Sequence, residues 1–89
     1  MVTSPYRVCS RFSWKKLAAG SVILDLEKGS YFTLNDTASL IWEGLVGGKP
    51  ADAIATLLAE TFEVPLERAT EDTEETLALL VKEGVLESG

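Results

Sequence analysis

Residues 29–42, GSYFTLNDTASLIW, pass from a strand pattern to a helix pattern without a linker. The first part contains a glycine turn and four residues, 31–34, that favour an extended backbone. In the second part Asn35 or Asp36 can cap a helix, and the apolar residues that follow have helical spacing. The hydrophobic period therefore changes at one point, which divides the chain into a strand-forming and a helix-forming half.

Two further strand patterns precede this point. Residues 7–17 mix β-favouring side chains with charges at near-alternate positions, which predicts a half-buried strand. Residues 21–27 alternate more regularly, and short turns at Gly20 and Gly29 separate the three segments. One face of this second segment consists of Val22, Leu24 and Leu26, and the other of Ile23, Asp25 and Glu27. Three successive strands with short links predict an antiparallel meander.

The second half of the chain contains three amphipathic helical patterns. Gly47 and Gly48 end the first, Pro50 and Pro65 suit the starts of the next two, and Gly84 ends the third after about Glu83. The expected core stripes are Ala38, Ile41, Trp42 and Leu45, then Ile54, Leu57, Leu58 and Phe62, then Leu66, Ala69 or Thr70, Thr73, Leu77, Leu80 and Val81. Val85 and Leu86 are expected to fold back behind Gly84. The predicted class is α+β, a three-stranded antiparallel sheet followed by three helices.

Length and composition predict one domain, residues 1–89, with residues 1–6 frayed at its start. No apolar run approaches the ~20 residues that cross a bilayer, and the first residues lack the apolar core of a secretory signal. Cys9 is the single cysteine and has no disulfide partner, so a cytoplasmic location without membrane contact is expected.

Charge is unevenly distributed along the chain. Up to Lys28 there are five basic residues against two acidic ones, a balance of +3; the remainder has three against twelve, a balance of −9. Acidic helices repel phosphate backbones, so nucleic acid is not an expected partner. Two interpretations stay open, namely ordinary solvated faces and a bipolar surface that selects a partner.

Residues that carry catalytic chemistry are scarce. The chain contains no histidine and one cysteine, which excludes the usual general base and the usual zinc ligands, so no metal or cofactor is expected. The acidic stretch 67–75 fits the exposed start of a helix, where negative charge favours the macrodipole. Trp42 lies in a core stripe, whereas Trp14 could belong either to the core or to a ligand site. The sequence predicts a protein that is not an enzyme.

The third strand, residues 31–34, is an edge strand of the meander and carries no lysine, proline or glycine to discourage pairing. If the third helix borders this edge without covering it, an extended peptide can pair with the strand. Closure by the N-terminal segment, a second copy of the chain or water are the alternatives.

The ordered set of residues also resembles a known family. The set runs Leu24-Asp25-Leu26, Gly29, Tyr31-Phe32, Leu34-Asn35, Ala38, Ile41-Trp42, Leu45, Gly48, Ile54, Leu58, Phe62, Val64, Asp72, Leu77, Leu80 and Gly84-Val85-Leu86. It is similar to the pyrroloquinoline quinone biosynthesis protein D family, the precursor-peptide recognition elements of ribosomally made and modified peptides. Within that family it looks closest to the free-standing leader-binding subunits of lasso peptide pathways. Thr73 departs from the pattern, which usually has an aliphatic residue there.

The resemblance implies a winged helix-turn-helix fold that binds no DNA and takes a precursor leader onto its third strand. The implied peptide-binding residues are Ser30, Tyr31, Phe32, Thr33 and Leu34 on the strand, and Asp72, Glu75, Thr76, Leu79 and Glu83 on the third helix. It further implies that the core peptide is presented to a leader peptidase and to a cyclase or other maturation enzyme. A winged-helix transcription regulator and a small homodimeric domain are the rival hypotheses.

Overall fold

The computed structural model describes residues 6–88, with the backbone alone for Tyr6 and Ser88. Within that range the elements are β1 Tyr6–Val8, β2 Phe12–Lys16, β3 Ser21–Asp25, β4 Tyr31–Leu34, α1 Asp36–Val46, α2 Ala51–Phe62, α3 Leu66–Lys82 and β5 Leu86–Ser88. Strands β2, β3 and β4 form an antiparallel sheet in that order. The predicted α+β class, a three-stranded sheet followed by three helices, is therefore confirmed. Of the segment expected to fray, residues 1–5 lie outside the described residues, and Tyr6 begins β1.

The prediction of one continuous strand over residues 7–17 was wrong. A turn interrupts it, in which the Phe12 N–H donates to the Cys9 carbonyl (3.2 Å). The part before the turn, β1, pairs with β5 in a separate two-stranded sheet. The Cys9 N–H extends this pairing by donating to the Val85 carbonyl (2.8 Å). The partner of β1 is the far end of the chain, which local sequence patterns do not reveal.

The alternation in β3 is present, and the face with Ile23 enters the core. Ser21 and Asp25 share that face and are also buried, while Leu24 and Leu26 are 40% and 66% exposed on the other. Burial of the two polar residues is tolerated because each has partners: Ser21 bonds to Ser39, and the Asp25 carboxylate accepts two backbone N–H groups.

Helix α1 begins as predicted, with Asn35 as its N-cap. The Asn35 side chain accepts the Ala38 N–H (2.9 Å), and Trp42 is fully buried. Trp14, whose role the sequence left open, is half-buried and packs edge-to-face on Trp42 with ring centroids 6.0 Å apart. The two rings connect the sheet to the first helix.

Four residues of the predicted core stripes are largely exposed. Leu57, Phe62 and Val81 are between 38% and 40% exposed, and Leu66 reaches 55% in the first turn of α3. They lie at the margins of their stripes, where the described part of the chain covers them only in part. Thr73 is buried, and its hydroxyl donates to the Ala69 carbonyl one turn earlier (2.8 Å), so this departure from the family pattern leaves no unpaired polar group.

The sheet and helices enclose one core. Its buried apolar members are Ile23, Leu34, Ile41, Trp42, Leu45, Ile54, Ala55, Leu58, Ala69, Leu77, Leu80, Val85 and Leu86. Gly20, in the β2–β3 turn, has a positive φ of 89°, and a Cβ atom there would overlap the Leu34 carbonyl. The turn therefore closes directly onto the end of β4 and fixes where that strand stops.

Candidate functional site

The backbone of β4 has one free side. The Asp25 N–H donates to the Ser30 carbonyl (2.8 Å), so Ser30 points its carbonyl at β3. Directions alternate along an antiparallel strand, so Phe32 bonds to β3 while the N–H and C=O groups of Tyr31 and Thr33 point away from it. Among the described residues β4 pairs with β3 alone. Tyr31 and Thr33 therefore present an unpaired ladder to an incoming strand.

Within residues 6–88 both outer strands of the sheet have a free side, but they differ in composition. Strand β2 carries Lys15 and Lys16, and lysine on an edge discourages pairing with another chain. Strand β4 reads YFTL and has no charge. Its edge is the one suited to β-augmentation.

Helix α3 borders the end of β4. A recess there is lined by Asn35, Thr37 and Ala38, next to β4, and by Arg68, Asp72, Glu75 and Thr76 on the helix. Positions three and four apart lie on one side of a helix, so Leu79 and Glu83 continue the same face beyond the recess. The structure thus brings three of the predicted helix residues to the end of the strand, and helical spacing places Leu79 and Glu83 behind them. We call the space between the β4 edge and this face of α3 the β4–α3 groove.

Four residues of this recess were absent from the predicted site. Arg68 could have been found from spacing, because it stands four residues before Asp72, and its Nε lies 3.7 Å from the Asp72 carboxylate. Asn35, Thr37 and Ala38 have no comparable signal in the sequence. They reach the groove because α1 starts directly after β4.

An apolar recess continues from the polar one. It shares Thr37, Arg68 and Asp72 and is otherwise lined by Leu58, Phe62 and Val64. Its volume of about 320 Å³ exceeds that of a single aliphatic side chain. An extended chain on β4 that continues past Leu34 can place an apolar residue here.

The start of β4 is held by the β3–β4 turn. The Asp25 carboxylate accepts the N–H groups of Glu27 and Lys28, each at 3.0 Å, and its other oxygen lies 3.5 Å from the Arg11 Nε. The Lys28 and Glu27 hydrogen bonds together with the charge of Arg11 hold the pKa of Asp25 below its ordinary value, against the opposing effect of desolvation. The ionised carboxylate fixes the position at which β4 begins.

The ten predicted residues are not equivalent in the structure. Tyr31 is 67% exposed and Thr33 is also exposed, whereas Leu34 is buried and Phe32 is half-buried with backbone groups directed at β3. Ser30 precedes the strand and accepts the Asp25 N–H. The free backbone therefore belongs to two of the five strand positions.

Other features of residues 6–88 are less suited to a site. A recess of about 410 Å³ lies between α1 and α2, near the Lys16–Glu43 ion pair, and its lining includes no residue of β4. Within this described range no group of histidine, cysteine and carboxylate side chains has the arrangement of a metal site. None of the helices described has the length and apolarity needed to span a membrane.

Comparison with known proteins gives one family and two similar structures. Residues 20–86 match the family model of coenzyme PQQ synthesis protein D (PqqD). A structure described as TbiB1 in complex with the TbiA(beta) leader peptide has a TM-score of 0.85 at 24% identity, covering 93% of this chain and 96% of that one. A structure described as lasso peptide synthetase B1 complexed with the leader peptide has a TM-score of 0.86 at 30% identity. The match covers 94% of this chain and 99% of that one. No curated protein matches the sequence.

Proposed function

Because the chain belongs to the PqqD family, we propose that it binds the leader segment of a ribosomally made precursor peptide in lasso peptide biosynthesis. Both similar structures are described as complexes with a leader peptide. The free edge of β4 in this chain is suited to the same kind of ligand. The protein acts by holding a substrate for other proteins and performs no chemistry on it.

The leader adds to the sheet as a further strand beside β4. The observation that carries this proposal is the outward direction of the backbone groups of Tyr31 and Thr33, next to the recess at α3. The proposed contacts are Ser30, Tyr31, Phe32, Thr33 and Leu34 on one wall, and Asp72, Glu75, Thr76, Leu79 and Glu83 on the other.

Hydrogen bonds alone give weak binding. Two outward-facing residues offer four backbone groups, and at ~1 kcal/mol each they reach about the free energy of a millimolar complex. Burial of one or two aliphatic side chains, at about 1.5–3 kcal/mol each, brings the complex towards the micromolar range. The recess formed by Leu58, Phe62 and Val64 is suited to such an anchor.

Capture of the leader serves the enzymes that follow. A leader held on β4 keeps the attached core peptide close to any enzyme that docks on the same protein, which raises its effective concentration. In a lasso pathway these partners are a leader peptidase and a cyclase. We place the complex in the cytoplasm, the compartment that a single free thiol favours.

The test is a calorimetric titration with a synthetic leader taken from a short precursor gene near this one. We expect one-to-one binding in the micromolar range or tighter. Thr33→Pro removes an outward N–H and should weaken binding by about tenfold or more, while the native ladder to β3 stays intact. Thr33→Val retains the N–H and the branched side chain, so it should bind as the parent protein does.

The stability of each variant is measured by urea denaturation alongside the titration. Unchanged affinity of Thr33→Pro would show that the leader does not pair with β4. An equal loss of stability and affinity would make the edge a purely structural element.

A further inference from the structure

The β4–α3 groove has an ordered pattern of side chains on its helical wall. We infer that Glu75, Leu79 and Glu83 select a leader with the pattern basic–x–apolar–x–basic on the strand that pairs with β4. The inference rests on the proposed function and defines the class of leader that this chain accepts. Three observations carry it: the direction of α3 along β4, the spacing of the three side chains, and their charge.

The neighbours of α3 near the two ends of β4 indicate that the helix runs antiparallel to the strand. At one end, Glu75 and Thr76 line the recess next to Asn35, directly after β4. At the other end, Arg11 lies between the start of β4 and the end of α3. It pairs with Asp25 at the β3–β4 turn, and its Nη2 atom lies 3.3 Å from the position that a Cβ atom on Gly84 would occupy. From Thr76 to its C-cap Glu83 the helix rises about 10.5 Å, and residues 34 to 30 of the strand span about 13 Å, so the helix is long enough to follow most of the strand.

The spacing on α3 matches the repeat of an extended chain. Residues four apart on a helix rise about 6 Å, and alternate residues of a strand lie about 6.7 Å apart. Glu75, Leu79 and Glu83 therefore face three successive groove-side residues of an added strand. The mismatch of about 1.4 Å over two steps is within the reach of lysine and arginine side chains.

Two acidic residues on the groove face of α3 have no basic partner among residues 6–88. Among residues 6–88 neither Glu75 nor Glu83 forms an ion pair, whereas Asp72 has Arg68 and Arg11 is engaged by Asp25. Leu79, between the two acids, is 48% exposed. A basic residue opposite each glutamate and an apolar residue opposite Leu79 satisfy all three positions, while an acidic leader meets like charges at both ends.

A selection experiment tests this with random peptides in place of the leader. The protein is immobilised, and a displayed library with roughly nine random positions, enough to cover the groove, is selected on it. Thr33→Pro serves for counter-selection, so that only peptides on β4 are retained. We expect the retained peptides to carry lysine or arginine at two positions four apart, with an apolar residue midway.

Charge reversal is then measured with one selected peptide by fluorescence polarisation. Replacing both of its basic residues by glutamate should weaken binding about tenfold at low salt, and the difference should shrink as the salt is raised. The double variant Glu75→Lys, Glu83→Lys should reverse this preference. The matched control is Glu60→Lys, Glu74→Lys, which changes net charge equally at exposed residues outside the groove: Glu60 lies on α2, and Glu74 lines a recess between α2 and α3. It should retain the original preference.

The outcomes separate this inference from the proposed function. Selected peptides that need the Thr33 N–H but show no charge pattern would overturn the inference and leave leader binding intact. If the control pair changes the preference for basic peptides as much as the Glu75 and Glu83 substitutions do, the preference is an effect of net charge. This result would also overturn the inference. Absence of any peptide sensitive to Thr33→Pro would overturn both.

Discussion

At the scale of single residues, Asp25 has the most defined task. Its side chain is 8% exposed, accepts two backbone N–H groups of the turn that starts β4, and forms an ion pair with Arg11. These interactions stabilise the ionised form and lower the pKa of Asp25 from its ordinary value of 3.8. A group with a lowered pKa in the folded state contributes stability at neutral pH that is lost as the pH falls through the folded-state pKa.

The variant Asp25→Asn should therefore alter the acid dependence of stability. At pH 7 it should be less stable than the parent, because asparagine can accept the turn hydrogen bonds but carries no charge for Arg11. As the pH falls below 3.8, Asp25 of the parent becomes protonated and loses its stabilising charge. The difference in the free energy of unfolding between parent and variant should therefore narrow. Urea denaturation at a series of pH values measures this. A gap of constant size down to about pH 3 would contradict the role given to the charge.

At the scale of elements, a polar connection joins the sheet to α1. The hydroxyls of Ser21 in β3 and Ser39 in α1 bond to each other, and both residues are fully buried. Ser39 donates to the Glu43 carboxylate (3.2 Å), which requires Ser21 to be the donor in the serine pair. Lys16 also lies 2.8 Å from Glu43, and this bond is the main cause of the lowered pKa of Glu43. The network fixes the start of β3 against the first helix.

The proton directions predict unequal effects of two alanine substitutions. Ser39→Ala leaves the buried Ser21 hydroxyl without a partner and should cost about 1–3 kcal/mol of unfolding free energy. Ser21→Ala leaves Ser39 bonded to Glu43 and Lys16, so it should cost less. Adding Ser21→Ala to Ser39→Ala should recover part of the loss, because the unpaired hydroxyl is then absent. Additive costs in a double-mutant cycle would contradict this description.

At the scale of the whole molecule, one short strand pairing brings the N-terminal and C-terminal parts of the chain together. Strand β1 pairs with β5, so the basic N-terminal half and the acidic helices belong to one body. Helix α3 has Arg68 and Lys82 as its basic residues against five acidic residues between Glu67 and Glu75, and Glu83 follows at its end. A helix of this charge is unlike one that enters a DNA groove.

This charge predicts that duplex DNA does not bind. A titration with a mixed-sequence duplex at about 100 mM salt should show no heat, because twelve acidic residues follow Lys28 and repel the phosphates. The leader peptide, titrated under the same conditions, is the positive control. Binding of DNA with a strong salt dependence, together with no response to the peptide, would favour the transcription regulator.

The sequence predicted what depends on neighbouring residues. The change of hydrophobic period before Asn35, the capping side chain and the glycine turns act over a few residues, so the fold class and the identity of β4 as an uncharged edge could be read directly. The positions on α3 that share one face also followed from helical spacing alone.

The tertiary structure decided what depends on residues far apart in the chain. It paired β1 with β5, placed the Ile23 face of β3 in the core, and brought α3 next to the residues that follow β4. It also showed that, within residues 6–88, the backbone groups of Tyr31 and Thr33 point away from β3 and those of Phe32 point towards it, because the register sets their direction. Side-chain patterns along the chain determine local geometry. Strand register and the placement of elements depend on packing throughout the core, and no single segment of sequence contains that information.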